Sequence, residues 1–177
     1  MSIERSEALE LNHKLWNQIA PQFIAGTALP KYGAFFPTED DLALIEDLEG
    51  KIVLELGCGS GRSLFYLKKS RNARELWGVD ISPEQIRLAK ELFNKENLPI
   101  NLLVGSMDND VGIPKSYFDC IVSIYGLGWT PDLPRTLSLV HDYLNPRGIF
   151  VFSWEHPVYK CLDYNKEIDG FFFQAHI

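Results

Sequence analysis

The residues with the clearest chemical meaning lie at positions 51–62, KIVLELGCGSGR, where an apolar run passes through a carboxylate, Glu55, into three alternating glycines. Ile52, Val53, Leu54 and Leu56 form a nearly continuous apolar stretch, as expected of a strand buried on both faces of a parallel sheet. Gly57, Gly59 and Gly61 then permit a sharp turn and a close approach of backbone to ligand that a Cβ would block. A second strand, 76–79, ends in Asp80, nineteen positions after Gly61. An acidic group at about that offset, at a strand end expected to be mostly exposed, suits the paired hydroxyls of a ribose.

The spacing discriminates between ligand classes. Dinucleotide folds use G-x-G-x-x-G to bring a helix N-terminus onto a pyrophosphate, whereas this chain reads G-x-G-x-G, and no Lys-Ser/Thr pair completes a triphosphate loop. GCGSG after a strand carrying Glu55, then GVDIS, then FDCIVSIYGLGW, resembles the class I S-adenosylmethionine-dependent methyltransferases, in the small-molecule branch that includes ubiquinone/menaquinone methyltransferases. The resemblance covers residues 12–157. It implies S-adenosyl-L-methionine as cofactor, with Glu55 toward its methionine end and Gly57, Cys58, Gly59 and Gly61 cradling it. Asp80 and Ile81 follow at the ribose, and Ser106, Met107 and Asp108 approach the adenine. Ser123 and Tyr125 would run beneath the cofactor toward the methyl group. Family members often carry Gly-Asp-Ala where this chain has Gly105, Ser106 and Met107. Structural alternatives stand beside each role: Glu55 or Asp80 capping nearby backbone, a polar turn capped by Asp108 or Asp110, plain packing along the fourth strand.

On the acceptor side, Trp154, Glu155, His156 and Pro157 follow the fifth strand. His156 at such an end is a candidate for taking a proton from a hydroxyl or amine, and equally for a loop histidine with a satisfied hydrogen bond. Tyr125 is the second catalytic candidate. Trp16, Tyr32, Phe35 and Phe36 belong to an N-terminal region that resembles a lid over the methyl donor, where aromatic rings would exclude water and attract a sulfonium, or simply pack against the sheet. The D/N-P-P-Y/F sequence of family members that methylate planar amino groups is absent, since SIYGLGW stands there.

These residues need a scaffold, and 177 residues with 46% apolar content supply one core. A formal charge of −7 without a basic run disfavours a nucleic-acid partner. No apolar stretch approaches a membrane span, the N-terminus lacks a signal core, and Cys58, Cys120 and Cys161 read as reduced thiols of a cytoplasmic protein.

Elements alternate. The spacing of Ala8, Leu11, Leu15, Trp16 and Ile19 predicts a helix over 7–20, and Thr38 caps a second one running to 48. Strands are expected at 52–56, 76–79, 100–104, 118–124 and 148–154, with helices at 61–70, 83–94 and up to 144. Ser82, Pro83 and Gln85 read as a capping box at the start of the helix at 83–94. The pattern predicts an α/β, Rossmann-like, doubly wound and mainly parallel sheet with helices on both faces. It divides into a helical lid over 1–50, a cofactor-binding core over 51–157 and a tail over 158–177 that supplies at most one strand, the C-terminal strands of the family being missing or truncated. An open sheet edge at the fifth strand would be covered by Phe171 to Ile177 or by a second copy, giving a homodimer. The expected activity is methyl transfer to a small-molecule acceptor by in-line displacement. A nicotinamide- or flavin-dependent oxidoreductase and a non-catalytic cofactor-binding module are the rival readings.

Overall fold

A computed structural model describes residues 3–23, 28–33, 37–45, 47–155, 161–165 and 169–173. His156, Phe35, Phe36 and Pro157 lie outside them.

The run Ile52–Leu56 forms β1, buried at every position as its unbroken apolar character requires. It is flanked by β2 (Glu75–Asp80) on one side and β4 (Phe118–Ile124) on the other, with β3 (Asn101–Val104) and β5 (Leu144–Ser153) outside them. The order is β3-β2-β1-β4-β5 and every pairing is parallel, Val53 lying beside Leu76 and Cys120. The chain therefore moves outward from β1 in one direction and then, after β3, in the other. The switch falls between β1 and β4, where the connections diverge and leave a crevice at the strands' carboxyl ends.

Val53, Leu64, Leu67, Ile86 and Phe93 pack one face of the sheet under α3 (Arg62–Arg71) and α4 (Pro83–Lys95). Leu54, Leu56, Ile121, Leu139 and Tyr143 pack the other under α5 (Leu133–Tyr143). Ser82 caps α4 by accepting Gln85 N–H at 3.1 Å, as expected, but the Gln85 side chain does not close a box and faces the glycine loop instead.

The N-terminal region departs from its periodicity. α1 (Arg5–Ile19) forms, yet buries none of its residues, and Leu11 and Leu15 stay 52% and 40% exposed. Thr38 begins α2 with Asp41 accepting both its N–H and its hydroxyl, at 2.8 and 2.7 Å. That helix lasts one turn, Glu39–Leu42, rather than reaching 48. Glu39 is the reason. Its fully buried carboxylate takes the N–H groups of Leu44 and Ile45, at 3.2 and 2.9 Å, together with the Tyr32 hydroxyl, and these amides are lost to the helix while Ala43 turns left-handed.

The tail supplies two strands where at most one was expected. β6 (Leu162–Asn165) and β7 (Gly170–Phe173) pair antiparallel as a separate ribbon, so Phe171 lies opposite Tyr164 and not along β5. Among the described residues β5 remains the sheet's edge. Its bulge near Phe118 and Cys120 accommodates Arg147 at φ 77°. No helix among the described residues is long and apolar enough to cross a membrane, and no disulfide joins cysteines among them.

Candidate functional site

The glycine loop closes over the carboxyl ends of β1 and β2. Gly57 and Cys58 donate to the Val79 carbonyl at 2.8 and 3.0 Å, and Gly59 donates to Asp80 Oδ2 at 2.8 Å. Gly57 has φ 72°, and a Cβ there would stand 3.0 Å from Gly126 Cα, so any side chain at this turn would be strained and crowded. Gly57, Cys58 and Gly59 line a cleft of about 280 Å³. Gly61 does not line it. A Cβ on Gly61 would stand 3.0 Å from Ala89 Cβ, so this glycine lets α3 pack on α4.

Glu55 is 2% exposed at the base of this cleft. The Ser63 hydroxyl and the Leu64 N–H serve its carboxylate, but Oε2 has no partner. Burial, reinforced by nearby Asp80 and opposed by the Ser63 bond, pushes its pKa up from 4.5 to about 8. A buried carboxylate oxygen without a donor is costly, and a cation or N–H donor arriving in the cleft would relieve it.

Asp80 is 9% exposed, against the expectation of a mostly open strand end. It accepts Gly59 N–H and, at 2.9 Å, Ser82 N–H, so it organises both the loop and the start of α4 while facing the cleft. Burial raises its pKa as well. Ile81 follows it in the lining.

The end of β3 divides its candidates. Ser106 and Met107 line the cleft. Asp108 does not: its carboxylate is fully buried, accepts the Ser106 hydroxyl and pairs with Arg5 Nε at 2.8 Å, while the other arm of Arg5 reaches Asn109 at 2.7 Å. Beyond β4, Tyr125 lines the cleft at φ 58°, its N–H directed at Ser153. Ser123 is wholly buried, gives its hydroxyl to the Leu56 carbonyl at 2.8 Å and does not reach the cleft. Tyr32 is likewise outside it, committed to Glu39.

Several lining residues carried no sequence signal. Asn12 of α1 and Phe23 face the cleft beside Trp16, which the lid resemblance had named, Trp16 standing against Trp129 edge-on at 5.1 Å and against Phe23 at 5.8 Å. Asn12 Nδ2 donates to the Trp129 carbonyl at 2.8 Å, Asn17 accepts from Ser82 and Glu84, and Arg62 Nε donates to the Phe23 carbonyl at 2.8 Å. Gln85 was readable only as a cap; its buried Oε1 is a second cleft acceptor without a partner. Among the described residues no cluster of His, Cys, Asp and Glu has the geometry of a metal site.

A parallel sheet in this order, with a glycine loop, a second acid facing the cleft and a buried carboxylate at its base, all at the switch point, is a fold of the methyltransferase type. Residues 53–148 match the methyltransferase domain family, and the chain belongs to that family. It is 35% identical over 131 residues to an uncharacterized protein of Haemophilus influenzae, covering 68% of this chain and 48% of that one. It is 26% identical over 122 residues to a fatty-acid O-methyltransferase of Mycolicibacterium smegmatis, covering 69% of this chain and 43% of the other. A crystal structure of an S-adenosylmethionine-dependent methyltransferase from Mesorhizobium loti superposes with TM-score 0.59 at 26% identity, over 75% of this chain and 61% of that one. The chain thus spans about half the length of these two curated relatives. These matches define the family without separating its branches.

Proposed function

We propose that this cleft binds S-adenosylmethionine and that the chain carries out methyl transfer to a small-molecule acceptor. The unpartnered Oε2 of buried Glu55 carries the reading. The cofactor's amino-acid end brings an ammonium that meets this need, whereas a dinucleotide would bring a pyrophosphate toward a site already holding two buried carboxylates. That contrast disfavours the oxidoreductase reading.

When bound, the cofactor supplies an electrophilic methyl group on a sulfonium. The chain's residues supply position and dryness. Glu55 takes the ammonium, Asp80 the ribose hydroxyls, the loop at Gly57 and Gly59 the close backbone approach, and the turn at Ser106 and Met107 the base. Trp16, Trp129 and Tyr125 wall the remaining side and keep water from the reacting centre. Tyr125 is the acceptor-facing group of this set, and proton removal by His156 is an additional role that alignment alone does not require. A relative named as acting on fatty acids and a cleft covered by α1 support an acceptor of small size.

Thermal melts with S-adenosylhomocysteine, NAD and FAD side by side test the reading. S-adenosylhomocysteine at a hundred times its dissociation constant should add about 2.7 kcal/mol. Melts unmoved by it and raised by NAD overturn the assignment.

A further inference from the structure

Among the described residues lining the cleft, Glu55 and Asp80 are the carboxyl groups and Arg62 is the cation. Arg62 opens α3 immediately before Ser63, the residue whose hydroxyl serves Glu55, and so stands beside the Glu55 end of the cleft. Its Nε donates to the Phe23 carbonyl at 2.8 Å, at the close of the 3-10 turn Ala20–Phe23 that continues α1.

We propose that Arg62 reads the carboxylate of the cofactor's amino-acid end and, through its bond to Phe23, ties that recognition to the turn covering the cleft. The inference rests on the S-adenosylmethionine reading above and deepens it. An α-amino acid presents its ammonium and its carboxylate on one carbon, so a site that takes the ammonium at Glu55 brings a negative charge close to Glu55 and Asp80. Two buried carboxylates repel a third, and a cation at the same spot is needed to offset them. A guanidinium carries five N–H donors in a planar fork, which lets it serve a backbone carbonyl and a carboxylate together. Lysine, a point charge with a flexible stem, lacks that geometry. The arrangement also makes carboxylate recognition and cover of the cleft one event, because the same side chain joins α3 to Phe23.

The test compares S-adenosylhomocysteine with 5′-S-(3-aminopropyl)-5′-thioadenosine, which keeps the ammonium and lacks only the carboxylate, by calorimetric titration of the full chain. The wild type should prefer S-adenosylhomocysteine by roughly 10- to 100-fold, the range of a charge-assisted hydrogen bond. Arg62→Ala should bring the ratio to within about threefold, and Arg62→Met, which keeps the apolar stem, should do the same if the alanine variant does not fold. The ratio is taken within each protein, so a general loss of stability cancels. A wild type that binds both ligands equally, or a variant that keeps the wild-type ratio, overturns the role of Arg62 and leaves the cofactor reading standing. A wild type that binds neither removes the cofactor reading and this proposal with it.

Discussion

Glu55→Gln separates charge from shape at the centre of the cleft. Burial, reinforced by Asp80, raises the Glu55 pKa from 4.5 to about 8. At about 1.4 kcal/mol for each tenfold change in proton affinity, that amounts to on the order of 4–5 kcal/mol between the neutral and charged forms in the unliganded fold. A carboxyl whose folded pKa lies above its unfolded one stabilises the fold fully below the unfolded value, and that contribution is lost as pH rises from 4.5 through about 8. Glutamine does not ionise, so the unliganded variant should lose less stability over this window and melt roughly 8–20 °C above the wild type near pH 8.5, at about 2–4 °C per kcal/mol for a chain of this size. Ligand affinity should move the opposite way. The bound ammonium favours the ionised carboxylate, so wild-type affinity for S-adenosylhomocysteine rises from about pH 6 to 8 with release of a proton, while the variant binds roughly 10- to 100-fold more weakly at the upper end and without pH dependence. Melting midpoints across pH and titrations in two buffers of different ionisation enthalpy measure both. Wild type and variant with the same midpoints and the same affinity at every pH would refute the buried, neutral Glu55 and its role toward the ammonium.

Asp80→Ala should weaken cofactor binding and the fold together, by about 1–3 kcal/mol each, because it removes ribose acceptors and also the partners of Gly59 and Ser82 N–H; unchanged urea midpoints would show that the loop holds without it. Gly57→Ala should cost about 1–3 kcal/mol and abolish binding, since its Cβ meets the Gly126 backbone at 3.0 Å from a positive φ, and a variant that titrates normally contradicts this. The β5 edge, with Ile149 45% and Phe152 53% exposed, should support concentration-dependent self-association that Phe152→Lys suppresses. A strictly monomeric wild type in sedimentation excludes the pairing.

Sequence periodicity reached the elements that bury apolar surface and missed those shaped by a single polar side chain. β1 was legible because a short, nearly continuous apolar run bounded by Gly50 and Gly57 reads as a buried strand, and the span 118–124 matched β4 residue for residue. The helix expected from Thr38 to 48 failed on Glu39, whose carboxylate captures amides five and six positions ahead, an act that no hydrophobic pattern records. In the cleft, Glu55, Gly57, Gly59 and Asp80 were readable because local spacing along β1 and β2 controls where they end. Asp108 was not, since its partner Arg5 lies 103 positions away on α1. Ser123 misled for a related reason: a polar residue on an apolar strand signals a site or a backbone partner with equal force, and here it bonds Leu56.

The way α1 is held bears on how such a cleft admits a ligand. It buries no residue of its own and is joined to the core by Arg5 to Asp108, by Asn12 to the Trp129 carbonyl and by Asn17 to Ser82, with Trp16 set edge-on to Trp129. The Asn12 contact is exposed and contributes only about 0–1 kcal/mol, because water replaces it when it parts, while the Arg5 bond is stronger for the buried Asp108 but open to water on the arginine side. The sheet beneath is fixed by fully buried side chains at Leu54, Leu64 and Phe118, whose separation would cost several times as much. The molecule therefore concentrates its stability below the cleft and leaves the cover weakly attached. A ligand that donated to Glu55 Oε2 and Gln85 Oε1, the cleft acceptors without a donor among the described residues, would add the contacts that hold this cover in place.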